Sequence, residues 1–203
     1  MENFTFYNPV KILFGKGQIS SITAEIPHEA KILMAYGGGS IKANGVYDQV
    51  KAALSGHSVI EFGGIEPNPR LQTLLEAVDL ARKEAITFLL AVGGGSVIDG
   101  TKFIATAVPF VGDPWDILAK NAPVTSGLPI GTVLTLSATG SEMNPFFVVT
   151  HRETQEKLVT SSHRVFPRFS VLDPETTFSL PQRQLRNGVV DPAFLTKSEK
   201  MRY

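Results

Sequence analysis

The chain has 203 residues, 43% hydrophobic and 19% charged, with 19 basic and 19 acidic side chains and a formal net charge of zero. That balance describes a soluble globular chain able to bury one sizeable core, and it excludes disorder, a nucleic-acid footprint and attraction to an anionic membrane. The absence of cysteine removes disulfides, thiolate metal sites and thiol nucleophiles; no basic stretch precedes an apolar run at Met1–Phe4 and no apolar run could span a bilayer, so a cytoplasmic location is expected.

Along the chain the recurring unit is a short apolar strand, a glycine turn and a helix. Lys31–Tyr36 (KILMAY) is a strand-like run ending in Gly37-Gly38-Gly39-Ser40. The spacing of Val46, Val50 and Leu54 then predicts a helical segment around Gly45–Leu54. Ser58–Phe62 is a second strand, closed by Gly63-Gly64. Asn68-Pro69 is expected to open a long helix, because proline's missing N–H costs nothing in a first turn. Leu71, Leu74, Leu75, Val78 and Ala81 form its buried stripe; Arg70, Glu76, Arg82 and Lys83 form its wet face. Phe88–Val92 reads as a central parallel strand covered on both sides, running into Gly93-Gly94-Gly95-Ser96 and a helix from about Val97 to Val108.

Past Pro109 the texture changes, with strand-like pieces at 130–134, 146–150, 157–160 and 170–172 between prolines. The fold class is therefore α/β: a Rossmann-like parallel sheet with right-handed crossovers and a β-hairpin extension. Residues 1–180 form this dinucleotide-binding domain, and a helix starting near Pro181 opens a second region, 181–203.

Two strand-GGGS-helix units are machinery for holding phosphate. Glycine lets the backbone come close to an anion, and the helix that follows offers unpaired N–H groups and the positive end of its dipole. A pair of such loops suits a dinucleotide, although neither matches G-x-G-x-x-G.

Several segments then resemble one family in its own order. They are Phe14-Gly15-Lys16-Gly17, Gly63 to Pro69 (GGIEPNP), Gly93 to Lys102 (GGGSVIDGTK), Leu134 to Glu142 (LTLSATGSE), Val171-Leu172-Asp173-Pro174 and Asn187 to Asp191 (NGVVD). The pattern is similar to the iron-containing alcohol dehydrogenases, in the branch of NADP-dependent butanol dehydrogenases and broad aldehyde reductases. The resemblance implies reversible hydride transfer between NADP(H) and a small primary alcohol or aldehyde. It sets Gly38 and Ser40 at the adenosine ribose, and Gly94, Gly95 and Ser96 at the pyrophosphate. Asp99 falls near the nicotinamide end or ties the loop down, its alternative being a carboxylate that satisfies helix-start N–H groups. Asn68 contacts the ribose or caps the following helix. Thr135, Thr139 and Asn144 surround the nicotinamide and its phosphates, and Lys157 reaches the nicotinamide ribose. No acid stands in Gly37–Lys42, which favours NADP over NAD. Glu142 reads as a structural anchor, and no catalytic residue is singled out.

The resemblance also implies a divalent metal, iron or zinc, held by one aspartate and three histidines, two of them from an all-helical C-terminal domain. Asp191 aligns with the aspartate. Leu195 stands where the first histidine belongs, and Pro192 interrupts the helix that would aim both side chains at one ion. His28, His57, His151 and His163 show no i, i+4 pair, although His151 and His163 flank the hairpin and could meet across it. The expectation is a truncated or frame-altered product lacking the metal-binding domain, catalytically impaired, with an apolar face exposed near Ser137–Asn144. Its alternative is a non-enzymatic NADP-binding remnant or interaction subunit. A homo-oligomer is compatible with either. A relative of the glycerol dehydrogenase or dehydroquinate synthase kind fits the E-P-N-P and T-G-S-E segments less well.

Overall fold

The computed structural model describes residues 5, 7–184 and 186. Its strands are β1 Lys11–Phe14, β2 Lys31–Tyr36, β3 Ser58–Phe62, β4 Phe88–Gly94, β5 Ile130–Leu136, β6 Phe146–His151, β7 Glu156–Ser161 and β8 Phe169–Leu172. Its helices are α1 Ile22–Glu25, α2 Ser40–Ala43, α3 Val46–Ala53, α4 Leu71–Lys83, α5 Gly95–Ala107 and α6 Asp116–Ala119. Six strands form one sheet in the order β1-β8-β5-β4-β2-β3, every pairing parallel. The chain leaves β2 for β3 on one side and returns as β4 on the other. The strand order therefore reverses between β2 and β4, the place where sheets of this kind bind ligands.

The apolar runs behave as the period of a strand requires. Ile32, Met34 and Tyr36 point to one face, where they pack with Ile19, Ile22, Val46, Val50 and Leu54. Leu33 and Ala35 point to the other, against Leu71, Leu74, Val78 and Ala81 of α4 and Ile98 and Ile104 of α5. Burial on both faces explains why β2 and β4 are almost continuously apolar.

β6 and β7 pair antiparallel as a separate two-stranded hairpin, in register from Phe146↔Ser161 to His151↔Glu156. Phe147 and Val149 enter the α4–α5 side of the core, so the hairpin is docked on the domain. The proline-rich stretch after α5 thus splits its strands between main sheet and hairpin, as the sequence suggests.

Several local expectations are corrected. β1 carries no distinctive pattern at the sequence level, and it joins the sheet as an edge beside β8. The helix expected around Gly45–Leu54 is α3, and a separate short helix, α2, precedes it, set off by Gly45 at φ 78°. The long helix begins at Leu71; Pro69 lies ahead of it, and its carbonyl accepts the Thr150 N–H at 2.9 Å. Arg82 is not simply wet, since its guanidinium donates to the carbonyls of Ala107, Val108 and Phe110 and fastens the end of α5 to α4.

Leu74 is wholly buried between α4 and the sheet. Leu74→Ala is expected to cost ~2–5 kcal/mol, read as a lower urea midpoint at unchanged slope; a midpoint equal to wild type would contradict this packing.

Candidate functional site

The two glycine loops end neighbouring strands, with Tyr36 of β2 in register with Val92 of β4. At the first, Gly39 turns the chain with φ 100° and Ser40 starts α2. Tyr36, Gly37, Gly38, Gly39, Lys42 and Gly64 line an open hollow of about 320 Å³. Gly38 and Ser40, assigned to the adenosine ribose, are both exposed there.

At the second loop α5 begins on Gly94, which has no side chain with which to cap the helix, so the first N–H groups remain available to an anion. A Cβ on Gly95 would collide with the Thr139 side chain, so the residue must be glycine for the segment after β5 to lie over this helix end. Thr139 Oγ1 in turn accepts the Ser141 N–H at 3.3 Å. Thr135 is buried near the end of β5.

A polar line crosses from the hairpin to this loop. Lys157 of β7 donates to Asn68 Oδ1 at 2.7 Å, and the Asn68 N–H donates to Ser96 Oγ at 3.3 Å. Three residues assigned to the cofactor from distant segments are thereby brought together. Asn68 takes φ 55°, a conformation asparagine tolerates better than most residues. Its side chain accepts from Lys157 and makes no cap on α4, so the capping reading is not met.

Beneath the Thr139 segment lies a group that sequence reasoning did not single out. Lys102 of α5 has no exposed surface. Its ammonium donates to the carbonyls of Ser141 (2.6 Å), Asn144 (2.7 Å) and Phe146 (2.9 Å), to Ser141 Oγ (2.8 Å) and to Asn144 Oδ1 (3.2 Å). Burial pushes its pKa down to about 8, against the pull of Asp99 and Glu142. Asp99, one turn earlier, accepts from Ser141 Oγ (2.6 Å) and from the Val148 N–H (3.2 Å). Burial raises the Asp99 carboxyl above its ordinary value, and the Ser141 bond, Lys102, the Val148 N–H and Lys157 oppose that rise. Asp99 therefore ties the 139–148 segment to α5 and does not serve the helix-start N–H groups. Asn144 belongs to the same cage, its Oδ1 also accepting the Phe146 N–H at 2.9 Å. The legible signal for Lys102 was its place one turn after Asp99 on a helix that buries every residue around it.

Two other expectations, an apolar face near Ser137–Asn144 and an approach of His151 to His163, are not met. The exposed stretch at 137–139 is serine, alanine and threonine, so no apolar face opens there; large exposed apolar side chains include Phe14, Phe146, Val159 and Phe178. His151 sits at the turn end of the hairpin against Trp115 (5.1 Å between ring centroids), whereas His163 lies beyond its open end against Phe166 (5.8 Å), because the register separates the two ends. Among the described residues no group of three or more histidines, aspartates or glutamates could hold a metal. Asp191 lies outside the described residues. No helix among the described residues is long and apolar enough to cross a membrane.

Comparison with known proteins agrees with this geometry. The sequence model of the iron-containing alcohol dehydrogenases matches residues 9–174. A probable NADH-dependent butanol dehydrogenase 2 of Bacillus subtilis is 55% identical over 94% of this chain and 50% of its own length. The NADPH-dependent aldehyde reductase YqhD of Escherichia coli is 54% identical over the same shares. The crystal structure of E. coli K-12 YQHD superposes with a TM-score of 0.90 at 54% identity, covering 93% of this chain and 49% of that one. A crystal structure of NADH-dependent butanol dehydrogenase A from Thermotoga maritima gives a TM-score of 0.87 at 47% identity, covering 91% and 47%. The chain spans about half the length of the curated relatives it matches.

The Lys102 cage has a pH signature. With its folded pKa near 8 and an ordinary value of 10.5, the folded protein holds fewer protons than the unfolded chain between those limits, so stability due to this group rises with pH across that window. Between pH 7 and 9.5 wild type is expected to gain about 2 kcal/mol relative to Lys102→Met in paired urea unfolding curves. Parallel pH dependences would contradict the depressed pKa.

Proposed function

The chain belongs to the iron-containing alcohol dehydrogenase family, and we propose that residues 1–180 bind NADP(H) for the interconversion of small primary alcohols and aldehydes. Residues from 181 onward begin a second region on this reading. The single observation that carries it is the pair of glycine loops standing side by side where the strand order reverses, one beside an open hollow and the other on an uncapped helix end. These residues fit a dinucleotide: Gly38, Ser40 and Lys42 at the adenosine ribose, and Gly94, Gly95 and Ser96 at the pyrophosphate.

When bound, the nicotinamide supplies the hydride acceptor or donor. The chain's own residues do the rest of the work of binding and orientation. Lys157 and Asn68 lie in reach of Ser96 and so of the ribose next to the pyrophosphate, with Lys157 offering a positive charge to it. Thr135, Thr139 and Asn144 form the wall against which the nicotinamide end rests. Asp99 and Lys102 hold that wall in place through their bonds to Ser141 and Asn144.

A metal does not fit the described residues, which bring no three suitable donors together. Asp191 remains a candidate ligand by sequence, with Leu195 where its partner histidine would stand. Polarisation of the alcohol oxygen is thus assigned to no described residue, and the activity assigned to this chain is cofactor binding with negligible turnover.

Trp115, the single tryptophan, packs on the hairpin that carries Lys157 and provides the readout. Titration with NADPH is expected to give saturable quenching of Trp115 with energy transfer to the reduced nicotinamide, and Lys157→Ala to weaken it roughly tenfold, the scale of one charge-assisted contact. Absence of saturable binding would sink the cofactor reading, and brisk aldehyde reduction by the chain alone would sink the restriction to binding.

A further inference from the structure

The names of the relatives divide between NADH and NADPH. The first glycine loop carries no acid of its own, but the sheet brings one close to it. Glu61 stands on β3, paired with Met34 of β2, two residues before Gly63. Its carboxylate accepts from the Tyr47 hydroxyl (2.8 Å), the Lys51 ammonium (3.0 Å) and the Tyr36 hydroxyl (3.3 Å). Burial pushes the Glu61 carboxyl up, and donation from Tyr47, Lys51 and Tyr36 outweighs it, so the group lies below its ordinary value and is charged at neutral pH.

The same tyrosines carry a cation. Their rings meet edge to face at 6.3 Å, and the Lys42 ammonium stands 4.9 Å from the Tyr47 centroid and 5.2 Å from that of Tyr36. Tyr36 and Lys42 both line the hollow of Gly37–Gly39. In dinucleotide sites an acid beside the adenosine ribose accepts its 2′-hydroxyl, and a nearby cation accommodates a 2′-phosphate. Here an acid and a cation are both present, and three donors already occupy the acid.

We propose that the Tyr36–Tyr47–Glu61–Lys51 network selects a 2′-phosphorylated dinucleotide at this hollow, by keeping Glu61 engaged and by holding Lys42 at the mouth. The proposal rests on the cofactor reading above and names what decides between its two nucleotides. Lys42 is the contact residue; Tyr47, Glu61 and Lys51 act through it. With Lys51 gone, the Glu61 charge is uncompensated beside the hollow, repelling a 2′-phosphate while leaving a 2′-hydroxyl acceptable.

The test is the ratio of NADPH to NADH affinity in the full 203-residue chain, measured by fluorescence titration of wild type, Lys42→Met, Lys51→Met and the double variant Lys51→Met with Glu61→Gln. Lys42→Met and Lys51→Met are each expected to lower the ratio roughly fivefold to tenfold, mainly through weaker NADPH binding. Glu61→Gln added to Lys51→Met is expected to restore most of the ratio, which a merely structural role for Lys51 would not do. A ratio within about twofold of wild type in either single variant, or no recovery in the double variant, overturns the proposal while cofactor binding stands. Failure of wild type to bind either nucleotide overturns both.

Discussion

One buried ammonium holds the candidate site together. Lys102 leaves water completely, and its three N–H groups are shared among five oxygens that all belong to residues 141–146. Burying a charge without such partners would be prohibitive, so the segment has to close around it. The position of Thr139 over Gly95 follows from that closure, as does the approach of β6 to α5 through Asp99 and the Val148 N–H. The hairpin is then fixed, and with it the place of Lys157.

The pair of glycine loops depends on a second constraint, the parallel sheet. Because β2 and β4 are neighbours in register, their two glycine loops emerge at the same edge, although more than fifty residues separate them in sequence. The loops are chemically alike but their surroundings are not. The first opens onto a hollow beside tyrosines, lysines and an acid, and the second ends on a bare helix N-terminus under the hairpin. That asymmetry suits the unequal ends of a dinucleotide better than either loop alone would.

Much of the fold was legible because apolar periodicity reports burial directly. Lys31–Tyr36 and Phe88–Val92 read as central strands, and Leu71, Leu74, Val78 and Ala81 as the buried stripe of a helix, since these residues have no other stable place. What failed was local geometry governed by distant partners. Pro69 looked like a helix start, yet its carbonyl is committed to Thr150 across the hairpin. β1 was invisible because an edge strand of four residues has too short a pattern to separate from a loop. Asp99 admits two readings by sequence, and its bonds from Ser141 and Val148, more than forty residues away, separate them.

The sequence by itself determined the α/β class and the two glycine loops, because these follow from short-range spacing of apolar residues and glycines, and its ordered motifs carried the family. It also marked Asn68, Ser96 and Lys157 as separate candidates. Only the tertiary structure decided that those three meet in one line, that Lys102 anchors residues 141–146, and that Glu61 stands near an acid-free loop. The physical reason is common to all three: hydrogen bonds and ion pairs are satisfied between residues tens of positions apart, and no local pattern records which distant oxygen a buried nitrogen will find.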